Sequence, residues 1–180
     1  MELKRVVVTG LGAVTPVGNT PEETWKNLLE GKSGAAPITH FDTTLFKTKF
    51  ACEVKDLNLN DYIDRKEARK MDRYCQLAMV SAAQGIKDAG LDLEKEDLNR
   101  IGVVFGVGIG GIKTFQDEVV YYGQHEDQGP KFNPFFIPKM IADIASGQIS
   151  IQYGFHGPNY TTTSACASSS NALADAFNLI

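Results

Sequence analysis

Three short runs of apolar or β-branched residues, each followed by small residues and then by a helical pattern, constrain the fold of this chain most strongly. They are residues 5–10 (RVVVTG), 100–108 (RIGVVFGVG) and 158–165 (PNYTTTSA). Runs of this kind predict strands, and the first two are apolar enough to be fully buried. Buried strands that alternate with helices predict an α/β fold with a largely parallel sheet.

A first helix is predicted after the glycine-containing loop that follows residues 5–10. Thr20 can cap this helix, Pro21 suits its first position, and Glu23 completes a capping box. Gly31 is expected to end it. The apolar stripe of the helix consists of Trp25, Leu28 and Leu29.

The strongest helical pattern covers residues 64–90, and Gly90 is expected to end it. Cys75 lies within this pattern, so we expect it to be a packed core residue. The apolar residues of the pattern recur at steps of three and four and are Tyr74, Leu77, Ala78, Ala82, Ile86 and Ala89.

Three further helices are predicted in the second half of the chain, over residues 112–123, over residues 134–154 and after the third strand. Pro138 is expected at the start of the second of these helices, because proline suits the first turn. Residues 35–60 are expected to be irregular, since they contain proline and many Asp, Asn and Thr residues.

The composition gives no support for several classes of protein. A formal net charge of −4 does not favour binding to nucleic acids or membranes. Three cysteines without CxxC or metal-ligand spacing indicate neither a disulfide scaffold nor a metal site. The chain starts without a signal-peptide pattern, and its longest apolar stretch is about half a membrane span. We therefore expect a cytoplasmic protein that is soluble and binds no metal.

Cys166 stands at the junction between the third predicted strand and the last predicted helix. The unpaired N–H groups and the positive dipole at a helix start favour a thiolate, and they can stabilise an oxyanion on an attacked carbonyl. Small residues on both sides leave the thiol open to a substrate. Cys166 is thus a candidate nucleophile towards thioesters. A structural cysteine at a tight strand–helix packing point fits the same spacing, and both interpretations stay open.

A nucleophilic cysteine needs a base or a charge partner, and the sequence around Cys166 supplies none. His40 and His125 lie in polar, loop-like segments, and His156 lies in a turn before the third strand. We expect each to be a surface or turn residue. Any histidines that serve Cys166 are therefore expected outside this chain.

Five segments along the chain together resemble the β-ketoacyl-acyl carrier protein synthases, and among them the elongating enzymes. They are VVVTGLGAVTPVGNTPEETWKNLLEGKSG, RKEARKMDRY, GVGIGG, PFFIPKMIA and GPNYTTTSACASSS. The resemblance implies a thiolase-like fold with α/β/α/β/α layers, of which residues 1–180 would be the N-terminal portion, cut just after the cysteine. It also implies that the family's catalytic histidines and lysine lie beyond this chain, so that the chain alone would be inactive.

In the family that this chain resembles, the cysteine that matches Cys166 takes an acyl group from an acyl carrier protein thioester. Malonyl-carrier then loses CO₂, and its carbanion attacks the acyl-enzyme and lengthens the acyl chain by two carbons. The resemblance implies a homodimer without cofactor or metal, whose substrates are phosphopantetheine thioesters on the carrier protein.

The resemblance also assigns residues to two further surfaces. The wall and floor of the acyl pocket are matched by Ile109, Phe136 and Ile137. The basic residues that receive the acidic carrier protein are matched by Lys66, Arg69 and Lys70. Their steps of three and four place these basic residues on one side of the predicted helix. Without the resemblance, Ile109 is equally well explained as an ordinary packing residue. The basic residues would then be explained as a charged face exposed to solvent.

Three other functions share features with this sequence. A dinucleotide-binding domain is disfavoured, because Gly18 comes six residues after Gly12, Pro16 interrupts the turn, and the helix waits until Pro21. A polyketide-type ketosynthase shares the same cysteine motif and stays open. A non-catalytic partner that only binds the carrier protein also stays open.

Overall fold

The structure is a computed structural model and describes residues 4–180. Its strands are β1 (Ala35–Pro37), β2 (Phe50–Cys52), β3 (Val103–Gly106) and β4 (Asn159–Thr162). Its α-helices are α1 (Pro21–Leu29), α2 (Arg65–Ala68), α3 (Arg73–Asp88), α4 (Ile112–Gln124), α5 (Phe136–Met140), α6 (Ile144–Tyr153) and α7 (Ser168–Leu179). Short 3₁₀ turns occupy Leu59–Asp61, Leu98–Arg100, Glu126–Gln128 and Ala165–Ala167.

Two small sheets organise the described residues. β3 and β4 are parallel neighbours, with Val103 opposite Asn159 and Gly106 opposite Thr162. β1 and β2 form an antiparallel pair in which Ala35 lies opposite Cys52. The predicted α/β class with parallel strands is confirmed by β3, β4 and the helices that pack on them.

The core of this part of the chain lies between α3, α6 and the parallel pair. Cys75 and Met79 of α3 are almost completely buried, as are Ala145 and Ile149 of α6. The predicted core position of Cys75 is therefore confirmed. None of the helices in the described part is long and apolar enough to cross a membrane.

The first helix begins and ends where the sequence predicts. The hydroxyl of Thr20 accepts a hydrogen bond from the Glu23 N–H at 3.2 Å. The Glu23 carboxylate accepts from the N–H of Asn19, one residue before the position that a capping box requires. Gly31 has φ +69° and ends the helix, with its N–H on the Leu28 carbonyl.

Residues 5–10 form no strand, which contradicts the prediction. A strand needs a hydrogen-bonded neighbour, and β3 and β4 pair only with each other among residues 4–180. The segment that continues from residues 5–10 instead lies along α3, where Leu11 donates its N–H to the Asp88 carboxylate at 2.8 Å. The side chains of Val7 and Val8 are consequently exposed.

The predicted stripe of α1 is also not buried. Trp25, Leu28 and Leu29 are each more than half exposed. The spacing of a helical stripe identifies an apolar face but not the surface that covers it. No element among residues 4–180 packs over this face closely enough to bury it.

Both long helical patterns are interrupted. The pattern over residues 64–90 divides into α2 and α3, because Asp72 adopts an extended conformation (φ −70°, ψ 161°) and caps α3. The pattern over residues 134–154 divides into α5 and α6 at Ile141, which is also extended. Pro138 lies inside α5, not at the start of a long helix.

Two predictions about strands need smaller corrections. Residues 35–60 contain the β1–β2 pair and are not wholly irregular. β3 is half-buried along its length, whereas the sequence predicts a fully buried strand. Within the described residues β3 has one neighbouring strand, so its second edge is not covered by a strand.

The buried thiol of Cys75 should be chemically silent in the folded protein. Burial, with a smaller effect of the nearby Asp72 carboxylate, raises the pKa of this thiol to about 12. A thiol reagent at pH 8 should label the exposed Cys52 and Cys166 and leave Cys75 unlabelled until denaturant is added. Peptide mass mapping measures this, and rapid labelling of Cys75 in the native protein would contradict the structure.

The raised pKa of the Cys75 thiol also predicts how the free energy of unfolding depends on pH. Because the folded state raises the pKa of the Cys75 thiol, its contribution to stability is complete below about pH 8.5, where an unfolded thiol is still protonated. The contribution should be lost as the pH rises from there towards 12. Urea unfolding between these pH values should show a smaller loss of stability in Cys75→Ala than in the unchanged protein.

Candidate functional site

The candidate site is built by two loops at the carboxyl ends of the parallel strands. Residues 107–111 follow β3, and residues 163–167 follow β4. The strand pairing continues one step beyond β3, since Val107 donates its N–H to the Thr162 carbonyl at 3.1 Å. This pairing places the two loops side by side, at the edge where open α/β sheets bind their ligands.

Cys166 lies in the 3₁₀ turn Ala165–Ala167, the cysteine turn, directly before α7. This position confirms the predicted junction between a strand and a helix. The preceding Ala165 has φ +48°, a left-handed conformation that costs an L-residue about 1 kcal/mol. The turn therefore has a sharp bend immediately before the thiol, and the surrounding contacts must hold it.

Ser168 supplies most of those contacts. Its side chain is buried, and its Oγ accepts a hydrogen bond from the Ser164 N–H at 2.9 Å. Its hydroxyl donates to the Ala165 carbonyl at 2.7 Å and lies 3.2 Å from the Val107 carbonyl oxygen. Thr162 donates its hydroxyl to the Ser168 carbonyl at 2.8 Å. Ser168 thus connects the cysteine turn, α7 and the loop after β3.

The importance of Ser168 was missed in the sequence, where it is one of three consecutive serines. Ser169 and Ser170 are exposed, and only Ser168 is buried. A run of three identical residues contains no signal that separates them. The first serine of a helix that starts after a strand is the position to suspect, because it can reach back to the turn.

The thiol of Cys166 is exposed and is not in a disulfide. Among residues 4–180, no acceptor pairs with the backbone N–H of Cys166. The turn therefore presents an accessible sulfur beside an available N–H donor. This is the arrangement that a nucleophile needs when an oxyanion develops on the carbonyl it attacks.

The three histidines lie in loop or turn segments, as the sequence predicts. His40 faces Glu53 at 3.7 Å, and the His125 ring stacks on Tyr121. His156 follows Phe155 and donates its backbone N–H to the Leu98 carbonyl. No hydrogen bond within residues 4–180 joins a histidine to Cys166. No three His, Cys, Asp or Glu side chains in that range are grouped to hold a metal ion.

Helix α7 lies unusually close to β3. A Cβ atom built on Gly106 would come within 2.6 Å of backbone atoms of Ser168 and Ser169. Only glycine allows the start of α7, and with it the cysteine turn, to pack against the strand at this distance.

The loop of residues 107–111, which follows β3 and is called the glycine loop, lies between the cysteine turn and α5. A Cβ atom on Gly108 would be 3.9 Å from the Ala165 carbonyl oxygen, and Gly111 donates its N–H to the Met140 carbonyl at 3.0 Å. Ile109, in the middle of the loop, is 70% exposed. Ile109, a predicted pocket residue, therefore lies on a loop that approaches Ala165, the residue before Cys166, through Gly108. The same loop bonds Met140 of α5 through Gly111.

The other two predicted pocket residues belong to α5. The ring of Phe136 stacks against Phe115 of α4 and against Phe132, with ring centroids 6.3 and 5.6 Å apart. Ile137 is more than half exposed. Ile109 and Ile137 are both largely exposed, so neither is enclosed by the described residues.

The basic residues are not arranged on one continuous helix, which corrects the prediction. α2 ends at Ala68, so that Lys66 lies within it, Arg69 caps it and Lys70 follows it. Lys66 and Arg69 are exposed. Lys70 pairs with Glu67 at 2.6 Å and lies over the Phe135 ring, 6.0 Å from its centroid. Two of the three positive charges are thus free to meet a partner.

A cavity of about 670 Å³ lies elsewhere, between α3 and the loops that precede α1 and α2. Leu11, Tyr62, Gln84 and Tyr153 line it. It contains no residue of the cysteine turn or the glycine loop, so its volume does not identify it as the reaction site.

The parallel pair, the glycine loop and the cysteine turn belong to an α/β fold, and similarity to solved structures places this fold in the ketosynthase class. The chain superimposes on solved ketosynthases over 98% of its length. For the ishigamide ketosynthase/chain length factor the TM-score is 0.84 at 26% identity, and the chain covers 45% of that protein. For a type II polyketide acyl carrier protein in complex with its ketosynthase the TM-score is 0.81 at 25% identity, with 46% covered. The predicted thiolase-like fold is confirmed.

The sequence comparisons give the family. The model of the β-ketoacyl synthase N-terminal domain matches residues 3–180, and the chain belongs to this family. It is 47% identical over 181 residues to 3-oxoacyl-[acyl-carrier-protein] synthase 2 of Synechocystis sp.. It is 46% identical over 178 residues to the protein of the same name from Staphylococcus aureus (strain COL). The chain spans 43% and 42% of these two relatives.

The close approach at Gly106 predicts a sharp contrast between two glycines. In Gly106→Ala, the methyl group must displace the backbone of α7, which should lower the free energy of unfolding by about 1–3 kcal/mol. In Gly123→Ala, within α4, nothing lies within 4 Å of the new methyl group, and helix propensity should leave stability equal or slightly higher. Urea unfolding measures both variants, and equal effects would contradict the packing described here.

Proposed function

We propose that the protein carrying this chain is a β-ketoacyl-acyl carrier protein synthase that elongates fatty acids by two carbons, with Cys166 as the acyl acceptor. The observation that carries this proposal is the exposed Cys166 thiol in the turn after β4, beside its own N–H, which has no acceptor among the residues that the structure describes. Identities of 46–47% to proteins named 3-oxoacyl-[acyl-carrier-protein] synthase 2 support the reaction class.

The first half of the reaction uses residues of this chain. The Cys166 sulfur attacks the carbonyl carbon of an acyl-carrier thioester and a new C–S bond forms as the carrier C–S bond breaks. The carrier thiol leaves with the proton of the Cys166 thiol. The Cys166 N–H donates to the carbonyl oxygen as negative charge develops on it. The bend at Ala165 and the contacts of Ser168 hold sulfur and N–H in this arrangement before the substrate arrives.

The second half forms the carbon–carbon bond. Malonyl-carrier loses CO₂, and the resulting carbanion attacks the acyl carbonyl on Cys166. The C–S bond then breaks, which releases the lengthened β-ketoacyl-carrier and a Cys166 thiolate, and this thiolate takes up a proton from water to restore the thiol. The groups that promote decarboxylation are proposed to lie outside this chain, so residues 1–180 alone should show no turnover. The proposed reaction requires no cofactor or metal, only phosphopantetheine thioesters.

The acyl chain of the substrate is proposed to contact Ile109, Phe136 and Ile137. Support comes from the loop contacts that bring Ile109 between the cysteine turn and α5. We also propose that the protein forms a homodimer, as the resemblance implies. A cytoplasmic location is proposed from the composition.

The acyl carrier protein is the proposed partner, and Lys66, Arg69 and Lys70 are its proposed contacts. A ketosynthase in complex with an acyl carrier protein is among the structures that the chain resembles. The exposed side chains of Lys66 and Arg69 suit an acidic partner. Lys70 already pairs with Glu67 and should contribute less.

A polyketide-type ketosynthase is the second candidate. The observation in its favour is that two of the matched structures are a type II polyketide ketosynthase complex and a ketosynthase/chain length factor. The chain is 25–26% identical to those proteins and 46–47% identical to the synthases of the first candidate. Fatty-acid elongation is therefore preferred.

Acyl transfer to Cys166 is tested by intact mass of the full-length protein after incubation with an acyl-carrier thioester. The unchanged protein and Cys52→Ala should each gain the mass of one acyl group, because Cys52 has no proposed role. Cys166→Ala should gain none, because it lacks the attacking sulfur. An acyl group on folded Cys166→Ala would contradict the proposed nucleophile.

Carrier docking is tested by charge reversal. Lys66→Glu and Arg69→Glu should each lower the association rate with acyl carrier protein by about three- to tenfold at low salt, and added salt should reduce the difference. Lys47→Glu is the matched control, since Lys47 is exposed but belongs to the loop before β2. Stopped-flow measurement of binding gives these rates. An equal loss in Lys47→Glu would indicate a general charge effect and contradict a specific docking surface.

A further inference from the structure

Asp72 is a buried residue whose carboxylate connects the starts of helices α3 and α4. Its Oδ1 accepts a hydrogen bond from the Tyr74 N–H at 3.3 Å and so caps α3. Its Oδ2 accepts from the Thr114 N–H at 3.1 Å and from the Thr114 hydroxyl at 2.6 Å. The carboxylate is 8% exposed and lies 42 residues from Thr114 in the sequence.

Helix α4 depends on this external acceptor. Its N-cap residue is Gly111, which has no side chain to bond the free N–H groups of the first turn. The Asp72 carboxylate takes over that function from another helix, and its negative charge suits the positive end of the α4 dipole. Hydrogen bonds to a charged acceptor are also stronger than neutral ones. Asp72 therefore fixes where α4 begins.

The start of α4 is also the end of the glycine loop. Residues 107–111 are anchored at their first residue by the Val107–Thr162 hydrogen bond. At their other end Gly111 bonds Met140, and the following turn is held through Thr114 by Asp72. Ile109 lies between these anchors and makes no tight packing contact of its own, since it is 70% exposed. Its position depends on how firmly both ends of the loop are held.

We propose that Asp72 is a positioning residue that, through Thr114, sets the place of Ile109 beside an acyl chain on Cys166 and thereby the acyl-length preference. This inference rests on the proposed function. Removing the Asp72–Thr114 bonds lets the loop and the first turn of α4 shift, which changes the room available to long acyl groups more than to short ones.

The test compares four variants of the full-length protein. Asp72→Asn removes the charge and keeps the shape, and Thr114→Val removes only the hydroxyl donor. Thr114→Ser keeps that donor and should behave like the unchanged protein. Asp97→Asn is the matched control, because Asp97 also caps a short helical turn, at 3.1 Å from the Asn99 N–H, but it is exposed and apart from the loop. If Asp72→Asn fails to fold, Thr114→Val and its serine counterpart carry the test.

Two quantities are measured on each variant. The first is amide hydrogen exchange over residues 107–114, which requires no activity. The second is the ratio of Cys166 acylation rates with palmitoyl-carrier and octanoyl-carrier. Asp72→Asn and Thr114→Val should exchange about tenfold faster in this segment and change the ratio about threefold or more. Thr114→Ser and Asp97→Asn should match the unchanged protein in both.

The outcomes separate this inference from the proposed function. Unchanged exchange over residues 107–114, or faster exchange with an unchanged acylation ratio, overturns the positioning role while acylation of the unchanged protein stands. An equal fall in both acylation rates would also overturn it, because a merely structural residue has that effect. If the unchanged protein accepts neither acyl group, the proposed function fails, and the specificity role of Asp72 fails with it.

Discussion

The pairing of β3 with β4 is the interaction on which the candidate site depends. It places Gly106 opposite Thr162 and continues through the Val107–Thr162 hydrogen bond, so that two loops leave the sheet side by side. One loop contains Ile109 and the other contains Cys166. Neither loop could hold this relation by itself, because each is only about five residues long. The shared edge of the two strands fixes their relative position.

Around this strand pair, small and polar residues position the loops through close packing and hydrogen bonds. Gly106 allows α7 to approach the strand, and Ser168 returns from α7 to bond the turn before it. Asp72 holds the opposite end of the glycine loop from a third element. The apolar residues that remain exposed on α1 and in the glycine loop belong to a chain that spans less than half the length of its curated relatives.

The sequence predicts those features that depend on local chemistry. Thr20 and Gly31 define the ends of α1, and the junction at Cys166 is visible from the strand pattern before it and the helix pattern after it. Features that depend on partners distant in the sequence are not predicted. Residues 5–10 have the composition of a strand but no neighbour to pair with among residues 4–180. The helix pattern breaks at Asp72, whose carboxylate bonds Thr114, a partner distant in the sequence that no helical pattern records. Ser168 differs from two neighbouring serines only in what surrounds it.

Acyl transfer to Cys166 would be seen directly in a crystal structure of the acylated full-length protein. We expect continuous electron density from the Cys166 sulfur to the acyl carbonyl. The carbonyl oxygen should lie within hydrogen-bond distance of the Cys166 N–H, with the acyl chain passing Ile109. Density for the acyl group on another residue, or a carbonyl oxygen turned away from that N–H, would contradict the account.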